Sequence, residues 1–183
     1  MIADGDALLN SISRSPHEAT PQLQFLDWAQ ENPDIVTRCI LHAKKTIPDL
    51  TPEGNGLTRD RDETSVRYSE RLERERDAIA TDTYHPCFSR SMVWLAVRGR
   101  RRTVDRGYHS YAYKHYVEQY WQDTEFAHWV AAGAFIAAVI VMGFPWRPAF
   151  HTPHHIHVGV SRRELHEQFP GTGPRRRVEI DPV

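Results

Sequence analysis

YHSYAYKHYVEQYWQDTEFAHWVAAGAFIAAVIVMGFP, residues 108–145, reads as two helices of different kinds. In its first half Tyr113, Tyr116, Val117, Tyr120 and Trp121 recur at i, i+3, i+4, i+7 and i+8. That spacing puts them on one face of a helix over 108–122. Lys114 and Glu118 stand four residues apart on the other side, where opposite charges meet. The second half predicts a helix from Thr124, a residue type suited to the N-cap, to Met142. Ala127, Ala131, Ala134 and Ala138 form a small-residue stripe, flanked by Phe135, Ile136, Val139 and Ile140. A stripe of alanine lets neighbouring backbones approach, so this is expected to be the central helix. Gly143 suits the left-handed residue that ends a helix, and Pro145 bars its continuation. The apolar run 129–144 falls short of the roughly 20 residues that a membrane span needs, so a buried helix is expected and no membrane contact.

Downstream, His155 to Val160 alternate as a strand does. Ser161 and Glu164 form a capping-box pattern for a short helix over 162–168, and the Gly-, Pro- and Arg-rich tail from 170 is expected to be loose. Upstream, the apolar run Met92 to Val97 fits a buried strand or a short helix equally well. The N-terminal part predicts a short helix over 6–12 and then a helical hairpin. One arm covers 22–32, and the other starts at Pro33 and runs to about Lys45. Residues 48–66 read as linker, with a turn at Glu53-Gly54-Asn55-Gly56. Residues 69–80 alternate charge sign and read as a solvated helix. The expected fold is mainly α, with α+β as the other class the pattern allows. Its expected parts are an N-terminal helical hairpin (1–47), a charged linker or exposed helix (48–82), a C-terminal α-rich domain with a small β element (83–169) and a tail (170–183).

The 183 residues carry a net charge of only -1, but the charge is segregated. Residues 1–50 sum to -3 and residues 51–80 to -2, whereas residues 81–110 sum to +4. The positive band is Arg98, Arg100, Arg101, Arg102 and Arg106, with Tyr108 and Tyr111 beside it. Arginine pairs with phosphate or carboxylate and the aromatic rings offer faces for stacking, so these seven residues are the candidate contacts for nucleic acid or a nucleic-acid-associated protein.

His151, His155 and His157 are the candidate metal ligands, because i and i+2 on a strand share a face and imidazole suits zinc and other divalent transition metals. A third ligand could also come from His154, Glu164 or Glu167. No other cofactor is expected. The chain lacks H-E-x-x-H, G-x-S-x-G and G-x-x-x-x-G-K-[ST], which speaks against the familiar zinc protease, serine hydrolase and phosphate-cradle designs. Two cysteines, Cys39 and Cys87, are too few for a disulfide framework, and the N-terminus lacks the pattern of a signal peptide. A reducing, cytoplasmic setting is expected.

Ser110-Tyr111-Ala112-Tyr113-Lys114-His115, with Val117-Glu118, Gly133-Ala134-Phe135-Ile136-Ala137-Ala138 and Gly143-Phe144, resembles a group of short uncharacterised proteins of bacterial plasmids, phages and genomic islands. The likeness covers about residues 107–160. It implies a bacterial cytoplasm and a mobile element, and it implies no activity. The leading functional expectation is thus a non-enzymatic binding protein that uses the arginine and tyrosine surface. The alternatives are a metal-dependent, hydrolase-like enzyme built on the histidines, and an inhibitory or structural module whose acidic N-terminal half docks on a basic partner.

Overall fold

A computed structural model of the chain describes residues 3–127, 129–152 and 154–161. The fold is mainly α, with seven α-helices and two small antiparallel strand pairs among the described residues. The N-terminal helices are α1 (Ala3–Arg14), α2 (Ala19–Glu31) and α3 (Pro33–Thr46). Proline opens α3 at a position where its missing N–H costs nothing. A two-residue pair follows, β1 (Leu50–Thr51) with β2 (Gly54–Asn55), and then α4 (Ser65–Ala78). Next come α5 (His85–Val97), α6 (Ser110–Tyr120) and α7 (Ala132–Val141). The second pair, β3 (Trp146–Pro148) with β4 (Ile156–Val158), places Trp146 opposite Val158, Arg147 opposite His157 and Pro148 opposite Ile156.

The apolar run at 92–97 is helical and lies inside α5, of which every residue from Cys87 to Ala96 is buried. A helix apolar on all sides belongs in a core. Trp94 of α5, Tyr113 of α6 and Phe135 of α7 meet there at ring-centroid distances of 6.0–6.1 Å. The alanine-rich helix is central, as its sequence predicts. Ala132 to Val139 are buried, and α7 packs on α3, α5, α6 and the β1–β2 pair. It ends in a Schellman motif: Gly143 takes φ 68°, its N–H donates to Ile140 O, and Phe144 N–H donates to Val139 O at 3.0 Å.

One hydrophobic cluster takes residues from α1, α2, α3, α5, α6, α7 and β4, so the core has no break where the expected hairpin and linker end. The linker reading of 48–66 is corrected for its first half. Leu50, Thr51, Pro52, Gly54, Gly56 and Leu57 are all buried. Thr51 Oγ1 donates to Gly56 O at 2.9 Å, Gly133 N–H of α7 donates to Pro52 O at 3.0 Å, and Asn55 N–H donates to His154 O at 2.8 Å. This stretch therefore ties the start of α7 to the loop before β4. The turn that made it read as linker has backbone groups bonded within the protein. The charge-alternating helix does exist, as α4, and buries none of its side chains.

The helix expected from Thr124 begins eight residues later, at Ala132. Thr124 Oγ1 instead donates to Trp121 O at 2.7 Å and accepts from Phe126 N–H at 3.1 Å, which holds a turn. The backbone groups that a helix would use are committed to side chains. Arg90, buried in α5, donates to Phe126 O at 2.6 Å and to Trp129 O at 3.2 Å. Glu118 of α6 accepts from Val130 N–H at 2.8 Å. The helix expected over 162–168, the tail, Glu164 and Glu167 lie outside the described residues.

Candidate functional site

Arg98, Arg100, Arg101, Arg102 and Arg106 lie on the segment between α5 and α6, and hydrogen bonds to β4 and its flanks give that segment its shape. Arg101 N–H donates to Gly159 O at 2.8 Å, Ser161 N–H to Gly99 O at 2.8 Å, and Asp105 N–H to Val158 O at 3.2 Å. Arg100 and Val160 form an antiparallel bridge. The segment thus lies along one edge of β4, while β3 occupies the other.

Arg100, Arg101, Arg102 and Arg106 are exposed, and so is Arg147 of β3. Arg147 faces His157 across the pair, and cross-strand partners point to the same side. Arg100 lies over the Phe144 ring, 5.8 Å from its centroid. Arg101 meets Asp105 at 3.4 Å. Asp105 is buried and also accepts from Gly107 N–H at 2.8 Å, so this one acid serves the bend of the loop.

Two of the expected contacts are internal. Arg98 is 5% exposed, its guanidinium packed on the rings of Trp94 (4.9 Å) and Tyr120 (5.8 Å). Tyr108 is 7% exposed and packs edge-on against Tyr116. Neither belongs to the exposed surface. Arg98 follows directly on the buried face of α5, so its stem is drawn into the core by aromatic neighbours that arginine packs well against.

Tyr111 stands at the start of α6, at the other end of the same strand. It is 48% exposed. His155 lies 5.4 Å from its ring and stacks on His109 at 5.0 Å with an interplanar angle of 6°. Ser110 Oγ sits 3.5 Å from His155 Nδ1 and accepts from Ile156 N–H at 3.2 Å, which pins the end of β4 to α6. Lys114, one turn further along, is buried, with its ammonium 3.0 Å from Glu118 Oε1. That ammonium lies 5.3 Å from the Tyr111 ring centroid and 5.6 Å from that of Trp129, which is 59% exposed. Sequence reasoning singled out Tyr111 but not Trp129, whose place depends on the Arg90 and Glu118 contacts that shape its loop. Burial pushes the Glu118 carboxyl up. The Val130 N–H, Lys114 and His115 outweigh it and hold the group below the usual carboxylate range.

Of the candidate metal ligands, His155 and His157 share the outward face of β4, but each turns one nitrogen to the protein. His157 Nδ1 donates to Tyr108 O at 2.8 Å, and His155 Nδ1 faces Ser110. His151 lies exposed on the turn between β3 and β4, its ring against Phe150. Among the described residues no group of three His, Cys, Asp or Glu side chains is gathered to hold a metal ion. Nor is any helix among them long and apolar enough to cross a membrane.

Burial, with His109 and His154 adding to it, lowers the His155 pKa to about 4, so this ring is uncharged at neutral pH. In the unfolded chain the same ring titrates near about 6.5. Between these values the unfolded state takes up a proton that the folded state refuses. Stability is therefore whole above about pH 6.5 and is lost as the pH falls toward about 4. Urea midpoints at pH 7 and pH 4.5 check this. His155→Phe, which keeps a ring and cannot titrate, is expected to show a smaller drop than the wild type. An equal drop would mean that His155 does not contribute.

No family model, curated protein or solved structure matches this chain.

Proposed function

We propose that this protein is a non-enzymatic nucleic-acid-binding protein whose contact surface is the arginine-bearing edge of β4. One observation carries the reading. Arg100, Arg101, Arg102, Arg106 and Arg147 stand exposed on the two segments that flank one strand, and the acid among them, Asp105, is buried. A net positive charge, five arginines against the one Asp105 that pairs with Arg101, on a backbone fixed by hydrogen bonds attracts a polyanion and loses little entropy on binding it. Arginine also offers its planar fork to phosphate oxygens. Of the residues read from the sequence, Arg100, Arg101, Arg102, Arg106 and Tyr111 remain in the surface. Arg98 and Tyr108 support it from inside. The resemblance over 107–160 fits a role in a bacterial or phage mobile element.

The test is binding of labelled oligonucleotides, followed by fluorescence anisotropy, with Arg102→Ala/Arg106→Ala beside the wild type. Both side chains are exposed, so the pair is expected to keep the wild-type melting temperature. Loss of two phosphate contacts, each a charge-assisted pair, should weaken binding about tenfold or more at low salt. Unchanged affinity would remove the surface from the account. An acidic protein bound in place of nucleic acid would replace the ligand class and keep the residues.

A further inference from the structure

β4 serves as a ruler for the surface. At His155 the strand lies against Tyr111 and the start of α6. At Val160 it pairs with Arg100. The five residue steps from His155 to Val160 span at most about 17 Å at the rise of an extended chain, and the arginine segment runs back along them, with Asp105 N–H bonded to Val158 O. That length matches about five nucleotides at the 3.4 Å rise of a stacked strand.

The aromatic end is built to present ring faces. Tyr111 and Trp129 come from different segments, yet both rest on the one Lys114 ammonium. Lys114 is itself buried and held by Glu118, and Glu118 holds the Trp129 loop through Val130. The two rings are thus held by Lys114, with His115 also against Tyr111 and Tyr84 against Trp129, and about half of each residue is open to solvent. A fixed, exposed ring can stack with an unpaired base at little entropic cost, and every base has a face to offer. A duplex keeps its base faces inside the helix, and would bring phosphate, sugar and base edges to these rings but no face to stack.

We infer that the ligand of this surface is a single-stranded nucleic acid, its phosphates along Arg100 to Arg106 and its bases stacked on Tyr111 and Trp129. This rests on the reading of the arginine edge as a phosphate-binding surface. Arginine alone would serve single strand and duplex alike, so it is the paired aromatic platform that selects between them.

The experiment compares labelled oligonucleotides of about 16 nucleotides, single-stranded DNA and RNA and a duplex of the same length, at one low salt concentration. The wild type should bind a single strand more tightly than the duplex. Tyr111→Ala/Trp129→Ala should lose about tenfold or more toward the single strand, and stay within about twofold toward the duplex, since stacking contributes about 1–3 kcal/mol per base. Tyr111→Phe/Trp129→Phe, which keeps both rings, should recover most of the loss and controls for folding. Equal affinity for duplex and single strand, or an alanine pair that weakens both equally, overturns the inference. If Arg102→Ala/Arg106→Ala still lowers affinity in that case, the arginine surface stands and only the single-strand selection falls. Failure of the wild type to bind any of the three overturns both.

Discussion

Gly133→Ala is expected to lower stability by about 3 kcal/mol, although alanine is the better helix former by up to about 1 kcal/mol. Gly133 is the second residue of α7. A Cβ built there would lie 1.7 Å from Thr51 O and 2.8 Å from Thr51 C, both backbone atoms. Backbone cannot turn aside as a long side chain can. Either α7 or the β1–β2 pair must therefore move, and the Gly133 N–H to Pro52 O bond goes with it. That bond satisfies one of the N–H groups that the start of a helix leaves without a partner. Chemical denaturation of the two proteins decides the matter by sign. A midpoint above that of the wild type would mean that residues 50–57 are not packed on α7 as described.

Arg90→Met is the second large effect, with an expected loss of about 3–5 kcal/mol. Methionine keeps much of the volume and the unbranched stem, so little of the loss comes from a cavity. The loss comes from the Phe126 carbonyl, which loses the guanidinium that donates to it, and from the Trp129 carbonyl, which is left with the weak Cys87 thiol donor at 3.4 Å. Without that tie the segment 121–131 should open. For a chain of this size the melting temperature should fall by about 10 °C. Chymotrypsin should cut near Phe126 or Trp129 in the variant sooner than in the wild type. A variant with the wild-type melting temperature and cleavage rate would show that Arg90 does not hold this loop.

Much of the fold is legible in the sequence because local signals and packing agree there. Pro33 at a helix start, Gly143 at a helix end and the tyrosine face of α6 all act as their spacing predicts. The misreadings fall where a distant side chain decides the local structure. Nothing near Thr124 announces that Arg90, more than thirty residues upstream, takes the carbonyls of its segment. Nothing in Glu53-Gly54-Asn55-Gly56 announces that the turn is buried under the loop at His154, where φ values of 138° and 87° are needed at the two glycines. The candidate surface divides in the same way. The exposed arginines are visible as a run of charge. The burial of Arg98 depends on Trp94 and Tyr120, the pairing of Tyr111 with Trp129 on Lys114, Glu118 and Arg90, and the places of Tyr108 and Arg147 on β4, which brings segments distant in sequence side by side.

The most direct measurement is the affinity of the wild type for a single-stranded oligonucleotide across a salt series, with Arg102→Ala/Arg106→Ala alongside. Arginines that neutralise phosphates release counterions, with a slope in log affinity against log salt of about -0.7 per phosphate on a single strand. The account predicts a straight line for the wild type and a slope shallower by about 1.4 for the variant, two contacts having gone. Equal slopes for the two proteins, or an affinity that does not change with salt, would contradict it.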